Sequence, residues 1–404
     1  MLYRYLPARN NSITPPTIDF PDDSTNYGRL SAGQQSSDLR YVSLFFDKIA
    51  PAPSSKARVV YDLMNIQNGV PASSVTQMGA TGGTIGFAFD SHNTLFVNVT
   101  ASTGSTSTGQ NYVSWLTDNS FSSSPVANVN VGQTIAYKNW SHNFSINGPA
   151  GSDYSVRLET ASVSGFFSTL TKVNRSGQVE TVLDHTHIPL FGRPDLNTYS
   201  HTLGRLAMDF VSPPNRAVLN VAMSTMLGYR DKTYLLNTST VPYSIVYETP
   251  DDYHLGYSTA IVKALGQNRF CIISGKNTGS IIKYFSVTST GFTELPVVGS
   301  PPEAPLVANT YNNSATIVGP NKDYLHILMN SGSVSAREAL YKITSDSLEM
   351  VKMTKPLFGN DPQGINAYLT FPMDDGRMFV ARSRRGVNNV SYNSVFIVDF
   401  SSVL

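Results

Sequence analysis

Short apolar runs come in pairs along this chain, and each pair is separated by a tight polar turn. Apolar residues alternate or run on without a break within each run, which indicates β-strands. No window keeps an apolar 3.6-residue period for three turns, and residues 335–341 are the best short helical candidate. The sequence therefore predicts an all-β protein with almost no helix. Five such hairpins occupy residues 85–97, 206–219, 260–273, 315–328 and 368–380.

The turns of these hairpins recur at a nearly fixed interval. Asn215, Asn268, Asn321 and Gly376 lie 53, 53 and 55 residues apart. A period near 50 residues built from β-hairpins is typical of a radial array of sheets, and the β-propeller is its usual closed form.

A second, outer hairpin follows most of the inner ones and completes a four-stranded blade. A six-bladed β-propeller is predicted, with blades near residues 83–138, 140–184, 204–248, 258–298, 313–354 and 366–400. The last blade lacks a fourth strand, which residues 58–64 or 41–47 would supply, so the ring would close by pairing N-terminal and C-terminal strands. A seven-bladed propeller is the alternative, if residues 41–64 start a blade of their own.

Residues 1–40 have a different composition from the rest. They are rich in Pro, Ser, Asn and Asp and show no periodicity. Such a segment is typical of an extended arm that orders against a partner or against its own body. We therefore divide the chain into an N-terminal arm, residues 1–40, and a β-propeller, residues 41–404.

Two of the inner hairpins resemble a known type of propeller. Phe87-Ala-Phe-Asp with the following Leu-Phe-Val, and Phe371-Pro-Met-Asp-Asp-Gly-Arg-Met-Phe-Val, are similar to the strand–Asp–turn hairpins of NHL-like and gluconolactonase-like propellers. This resemblance implies the fold. No set of Glu, Asn and Asp residues here aligns with the metal ligands of those enzymes, so no ligand is carried over.

Composition narrows the classes of partner. Charged residues make up only 14% of the 404 residues, against about 25% in a typical soluble domain. A net charge of +1 argues against nucleic acid and anionic membrane as partners.

Cys271 is the single cysteine, which excludes an intrachain disulfide, and its apolar neighbours predict a buried side chain. The sequence shows neither a signal peptide nor an 18-residue apolar stretch, so synthesis in the cytoplasm without membrane insertion is expected.

Basic and aromatic residues are expected to share one end of the propeller. Loops between second and third strands lie at the same end as loops that join successive blades. Arginine binds carboxylate, sulfate or phosphate through two hydrogen bonds, and tyrosine rings stack on sugars. These residues predict a pocket for an anionic glycan, with a solvated rim of ordinary loop charges as the alternative. The candidates are Arg230, Lys276, Arg384, Arg385, Tyr253 and Tyr257.

A histidine cluster in the interblade loops is a candidate metal site. His185 and His187 are two residues apart, so on an extended strand both side chains would lie on one face, and Asp184 or His201 would complete a site for Zn²⁺ or Mn²⁺. Solvated histidines that bond the backbone are the alternative. Otherwise we expect no cofactor.

The sequence favours a non-enzymatic interaction protein. A low-charge surface rich in Ser, Thr and Asn, the single cysteine and a Pro-rich N-terminus indicate a bacteriophage virion or tail protein that binds a cell-surface glycan receptor. Residues 1–40 would contact other virion proteins. A carbohydrate-active enzyme or lectin and an intracellular scaffold are the alternatives.

Overall fold

A computed structural model describes part of the chain. That part comprises residues 27–36, 38–48, 56–63, 74–78, 85–89, 94–103, 106–117, 120–121, 127–135, 145–149, 151–162, 166–174, 178–184, 186–188, 202–212, 214–225, 228–250, 260–276, 279–299, 314–331, 334–354, 365–385 and 391–400.

The described strands form successive antiparallel sheets. The first three sheets are built from the N-terminal half of the chain, and in the second sheet β8 and β9 both pair with β7. The first sheet contains β1 (Tyr27–Gln35), β2 (Tyr41–Lys48), β3 (Lys56–Asp62) and β4 (Ser74–Met78). The second contains β5 (Ile85–Phe89), β6 (Thr94–Thr103), β7 (Thr106–Thr117), β8 (Ser120–Phe121) and β9 (Ala127–Ile135). The third contains β10 (Ser145–Asn147), β11 (Tyr154–Ser162), β12 (Phe166–Asn174) and β13 (Val179–Leu183).

Four further sheets follow. In the sixth sheet the short β22 adds to the outer edge, parallel to β26. The fourth sheet contains β14 (Thr202–Val211), β15 (Arg216–Thr225), β16 (Gly228–Asn237) and β17 (Ser244–Glu248). The fifth contains β18 (Ala260–Gly266), β19 (Arg269–Lys276), β20 (Gly279–Val287) and β21 (Phe292–Leu295). The sixth contains β22 (Val297–Val298), β23 (Ser314–Val318), β24 (Tyr324–Ser331), β25 (Val334–Ile343) and β26 (Leu348–Thr354). The seventh contains β27 (Ile365–Pro372), β28 (Met378–Arg385) and β29 (Ser391–Val398).

The sheets pack face to face in chain order, as the blades of a β-propeller do. Apolar clusters join the third sheet to the fourth, the fourth to the fifth and the fifth to the sixth. Middle strands bury both faces: Phe270 and Ile272 of β19 pack toward the fourth sheet, whereas Cys271 packs toward the sixth. Because both faces are buried, these strands appear in the sequence as nearly continuous apolar runs. The predicted burial of Cys271 is confirmed, and burial raises the pKa of its thiol to about 12.

The all-β propeller prediction is confirmed, and each of the six predicted blades corresponds to one sheet, the second to the seventh. Residues 27–78 add a sheet of their own before them, which is the condition under which the sequence allowed a seventh blade. Residues 335–341, the best helical candidate, lie in β25.

The expected mode of ring closure needs correction. Residues 41–47 and 58–64 were expected to supply a fourth strand to the last blade, but β2 and β3 pair with each other and with β1 and β4. The first and seventh sheets instead meet face to face through an apolar cluster. This cluster contains Leu30, Val42, Leu44, Phe46, Tyr61, Leu63, Phe371, Met373, Phe379, Ala381, Val395 and Ile397.

The boundary between arm and body also moves. The sequence placed residues 1–40 in an extended arm, whereas β1 begins at Tyr27 and pairs with β2. Leu30 is buried, and the Gln35 side chain donates hydrogen bonds to the carbonyl oxygens of Pro372 and Leu39 at 2.6 and 3.0 Å. Residues 27–40 therefore belong to the body, and residues 1–26 lie outside the described residues. None of the described residues forms a helix of the length and hydrophobicity that crossing a bilayer requires.

Candidate functional site

The predicted basic residues lie at one end of the sheets. Arg230 lies in β16 opposite Met223, Lys276 ends β19, and Arg384 and Arg385 end β28. All four are close to hairpins between second and third strands, so the backbone brings them to the expected end. They occupy strand ends, however, and not the loops. Their side chains, and Tyr253 and Tyr257 entirely, lie outside the described residues, so the glycan pocket at this end stays a prediction.

The candidate metal cluster is described only at Asp184 and His187. Asp184 Oδ1 accepts hydrogen bonds from His187 Nδ1 at 2.8 Å and from the Thr186 backbone N–H at 2.8 Å and its hydroxyl at 2.5 Å. The Asp184 carbonyl oxygen accepts from the backbone N–H groups of His187 and Ile188. Ile188 is buried in the cluster between the third and fourth sheets. These contacts build a tight turn anchored to the core.

The hydrogen bonds of this turn stabilise the ionised form of the Asp184 carboxyl group. Partial burial acts to raise the pKa of Asp184, but the hydrogen bonds from Thr186 and His187 outweigh it and lower the pKa to about 2. His185 and His201 lie outside the described residues. Within the part that the structure covers, no three potential metal ligands come together, so the metal site stays a prediction.

A cavity of about 380 Å³ opens at the other end of the sheets, where first and second strands turn. Four sheets contribute to it: Leu39 from the first, Gly266 and Gln267 from the fifth, Asn321 from the sixth and Met373 from the seventh. We call this space the turn-end cavity. The lining is thus supplied largely by residues in or next to short turns, which recur along the sequence at intervals of about one blade.

Left-handed backbone conformations shape the turns that line the cavity. Gly266, Gln267 and Asn268 have φ values of 76°, 48° and 60°, and Lys322 has 55°. Asn and Gly adopt this region at least cost, which explains why they mark these turns in the sequence. The turns of the sixth and seventh sheets are joined by a hydrogen bond from the Gly319 N–H to the Gly376 carbonyl oxygen at 2.9 Å.

Cationic side chains dominate the charges at the cavity. Lys263, Arg269 and Lys322 line it, together with one acidic residue, Asp323. Lys322 Nζ is 2.8 Å from Asp374 Oδ1, an exposed pair across the turns of the sixth and seventh sheets. This contact holds the pKa of Asp374 below its usual value, first through the hydrogen bond and then through the charge of Lys322.

Arg269 lies beside Tyr284, whose hydroxyl donates a hydrogen bond to the Thr344 carbonyl oxygen at 2.7 Å. Burial raises the pKa of Tyr284, and the charge of Arg269 opposes the shift only in part. The hydroxyl therefore stays neutral and does not neutralise the charge of Arg269.

The sequence pattern predicted a site at the opposite end of the propeller and did not indicate this cavity. A signal was nevertheless present. Turns spaced by one blade lie at the same end of a propeller, and these turns carry charged residues next to Asn268, Asn321 and Gly376. The regular spacing of the turns thus indicated that they share one surface of the propeller, but it did not indicate the shape of that surface.

The fold defines the class of protein as a β-propeller, and comparisons with solved structures agree. The chain is similar to the crystal structure of polysaccharide lyase Uly1, with 8% sequence identity, a TM-score of 0.52, and coverage of 90% of this chain and 88% of that one. It is also matched to the periplasmic gluconolactonase PpgL of Pseudomonas aeruginosa, with 11% identity, a TM-score of 0.47, and coverage of 85% and 95%. At 8% identity the first likeness shows the fold alone. Neither a protein-family model nor a curated protein sequence matches the chain.

Proposed function

We propose that the protein is a non-enzymatic interaction protein that binds a glycan in the turn-end cavity. The observation that carries the proposal is the cavity itself, a space of about 380 Å³ shared by four sheets. Ligand sites for small molecules occupy about 300–1,000 Å³ and combine apolar walls with a few polar groups. The volume suits one or two sugar rings.

The chemistry of the walls suits a sugar. Gln267 and Asn321 supply amides, which both donate to and accept from hydroxyl groups. Leu265 and Ile317 supply aliphatic surface on which the C–H face of a sugar ring can pack. Together these groups bind and orient a ligand.

The frame around the cavity is tied together before any ligand arrives. Gln35 of the first sheet bonds the Pro372 carbonyl oxygen of the seventh, and Gly319 of the sixth bonds Gly376 of the seventh. A site that is already ordered loses less conformational entropy on binding. Such preorganisation supports a receptor-binding role, in which affinity depends on a fixed surface.

The test uses a glycan array with the full chain and a variant that blocks the cavity. Asn321→Trp places a large ring on an exposed lining residue, whereas Ser289→Trp places the same ring on an exposed turn of the fifth sheet outside the lining. We expect the wild type and Ser289→Trp to bind the same glycans and Asn321→Trp to lose affinity at least about tenfold, or 1.4 kcal/mol. Equal binding by both variants, or no glycan bound by the wild type, would contradict the proposal.

The proposal includes a place in a bacteriophage virion or tail, with the arm as anchor. It is supported by the low charge of 14% and by the Pro-rich composition of the N-terminal residues. Because Leu30 and Gln35 are part of the body, the anchor is tested by removing residues 1–26 and keeping β1. We expect the truncated protein to fold, judged by its thermal transition, and to be missing from purified particles. Normal incorporation would refute the anchoring role.

A further inference from the structure

We infer that the turn-end cavity selects an anionic ligand, and that the ligand is an acidic sugar that carries a carboxylate or a sulfate. The inference rests on the proposed glycan-binding function and adds the chemical class. It concerns the end of the propeller opposite the basic cluster that the sequence indicated.

The lining of the cavity carries an excess of positive charge. Three lining side chains, Lys263, Arg269 and Lys322, are cationic and only Asp323 is acidic. The whole chain has a net charge of +1 and 14% charged residues. Three cations around one cavity therefore form a local excess of positive charge in a protein that is otherwise nearly neutral. Such an excess raises the local concentration of anions and stabilises them when bound.

These charges are available to a ligand. No ion pair of Lys263 is found among the described residues, and Arg269 lies beside Tyr284, whose hydroxyl is neutral. Lys322 pairs with Asp374, but the two side chains are 45% and 85% exposed, so this pair contributes little and can be exchanged for a ligand. Among the contacts of the described residues, an anion entering the cavity thus competes with one exposed ion pair, Lys322–Asp374.

The three cations lie on different elements around the cavity. Lys263 lies in β18, Arg269 begins β19, and Lys322 lies in the turn after β23. Arg269 lies beside Tyr284, and its planar guanidinium can bind carboxylate or sulfate through two parallel hydrogen bonds. The lysines supply point charges from the sides. The amides of Gln267 and Asn321 remain for sugar hydroxyls.

The experiment measures binding by calorimetry with four probes: glucuronate, glucose 6-sulfate, glucose and inorganic sulfate. Lys263→Met keeps the aliphatic stem and removes the charge, while Lys342→Met makes the same change on an exposed residue outside the lining. Asp323→Asn removes the acidic charge from the cavity. We expect both acidic sugars to bind better than glucose, with a dissociation constant that rises with ionic strength.

Opposite effects of the variants make the test specific. For the preferred acidic sugar, Lys263→Met should weaken binding about tenfold, Lys342→Met should leave it unchanged, and Asp323→Asn should strengthen it several-fold. The two acidic probes decide between carboxylate and sulfate. Circular dichroism confirms that each variant is folded.

The outcomes separate this inference from the proposed function. Glucose binding as well as glucuronate and glucose 6-sulfate, with no effect of Lys263→Met, would overturn the anionic class and leave glycan binding standing. Inorganic sulfate binding in a Lys263-dependent way while no sugar binds would overturn the glycan function and keep only the anion site. An absence of binding by all four probes would overturn both.

Discussion

Single residues at the turns decide how closely neighbouring sheets approach. Gly376 has a φ of 82°, and its position leaves no room for a Cβ atom, which would overlap the backbone carbonyl of Gly319 in the sixth sheet. Gly151 has a similar φ of 86°, but a Cβ atom there would meet nothing within 4 Å. The two glycines therefore share the conformational requirement, and only Gly376 has the steric one.

Replacing Gly376 by alanine tests the contact between the turns. Gly151→Ala should cost about 1–2 kcal/mol, the price of a left-handed conformation for an L-residue. Gly376→Ala should cost about 3 kcal/mol or more, because the backbone of the sixth sheet must also move. Thermal unfolding of the two variants measures the difference. Equal midpoints would show that the turns are not in contact.

Asp184 gives a prediction about pH. Its pKa is lowered to about 2 in the folded protein, against about 3.9 in an unfolded chain. A lowered folded-state pKa means that the stabilisation is present above pH 4 and is lost as the pH falls from about 4 to 2. Asp184→Asn should therefore be less stable than the wild type at pH 6, and the difference should shrink below pH 4. Denaturant unfolding at both pH values measures this, and a constant difference would contradict it.

Strands are held in the ring by side chains of the innermost strands as well as by apolar packing. Asp209 of β14 accepts a hydrogen bond from the Ala264 N–H of β18 at 2.8 Å, through Oδ2, while Oδ1 accepts from the Phe210 N–H. Thr316 of β23 and Thr370 of β27 share a buried hydroxyl hydrogen bond of 2.7 Å. Asn147 of β10 accepts from Gln34 and donates to the Gln35 carbonyl oxygen of β1. Polar residues of inner strands thus connect different sheets.

Truncating Asp209 tests one of these connections. Asp209→Ala leaves the Ala264 N–H without its acceptor, and losing the partner of a buried or partly buried donor costs about 1–3 kcal/mol. Asp209→Asn keeps one acceptor oxygen and should recover part of the loss. Chemical denaturation ranks the three proteins. Equal stability of all three proteins would show that the connection contributes nothing.

At the scale of the whole molecule, the ring closes where the first sheet meets the seventh. Gly33 of β1 lies against this interface: a Cβ atom there would be 2.7 Å from Phe371 Cζ and 2.8 Å from Leu369 Cδ1. Tyr61 and Phe379 pack ring to ring across the same interface at 5.4 Å. The first and last parts of the chain are therefore held by side-chain contact between sheets and by Gln35.

Gly33→Ala should destabilise the closure. Overpacking a well-packed interface costs about 1–3 kcal/mol, and Gly33→Ala with Phe371→Leu should cost less than the sum of the two single changes, because the smaller side chain makes room. A double-mutant cycle based on thermal unfolding measures this coupling. Additive effects would show that the two residues do not meet.

The inner hairpins could be predicted because their signals are local. Asn215, Asn268 and Gly376 have positive φ values, as their residue types indicate, and the apolar runs around them pair as expected. At the turn of the hairpin 315–328, the left-handed residues are Gly319 and Lys322, and Asn321 only lies between them. The turn-forming residue types therefore predicted where the turns lie, but at this turn they did not predict which residue adopts the left-handed conformation.

The first sheet was harder to predict because β1 carries no apolar period. Its sequence, Tyr-Gly-Arg-Leu-Ser-Ala-Gly-Gln-Gln, reads as polar, and Leu30 is its one buried large apolar residue among those described. Gly33 packs well because Phe371 lies against it, and that contact depends on a residue of the last sheet. Without β1, residues 41–47 and 58–64 predict only two strands, too few for a four-stranded blade, and the sequence pattern therefore assigns one of them to the last blade.

The sequence by itself determined the inner hairpins, their turns and the interval between them, since these depend on residues a few positions apart. Only the tertiary structure decided how the ring closes, because that rests on contacts such as the hydrogen bond from Gln35 to Pro372, 337 residues away. The turn-end cavity is of the same kind: Leu39, Lys263, Asn321 and Met373 line it from four sheets. No local sequence pattern specifies that these four residues line one cavity, because their proximity depends on the packing of whole sheets around a common axis.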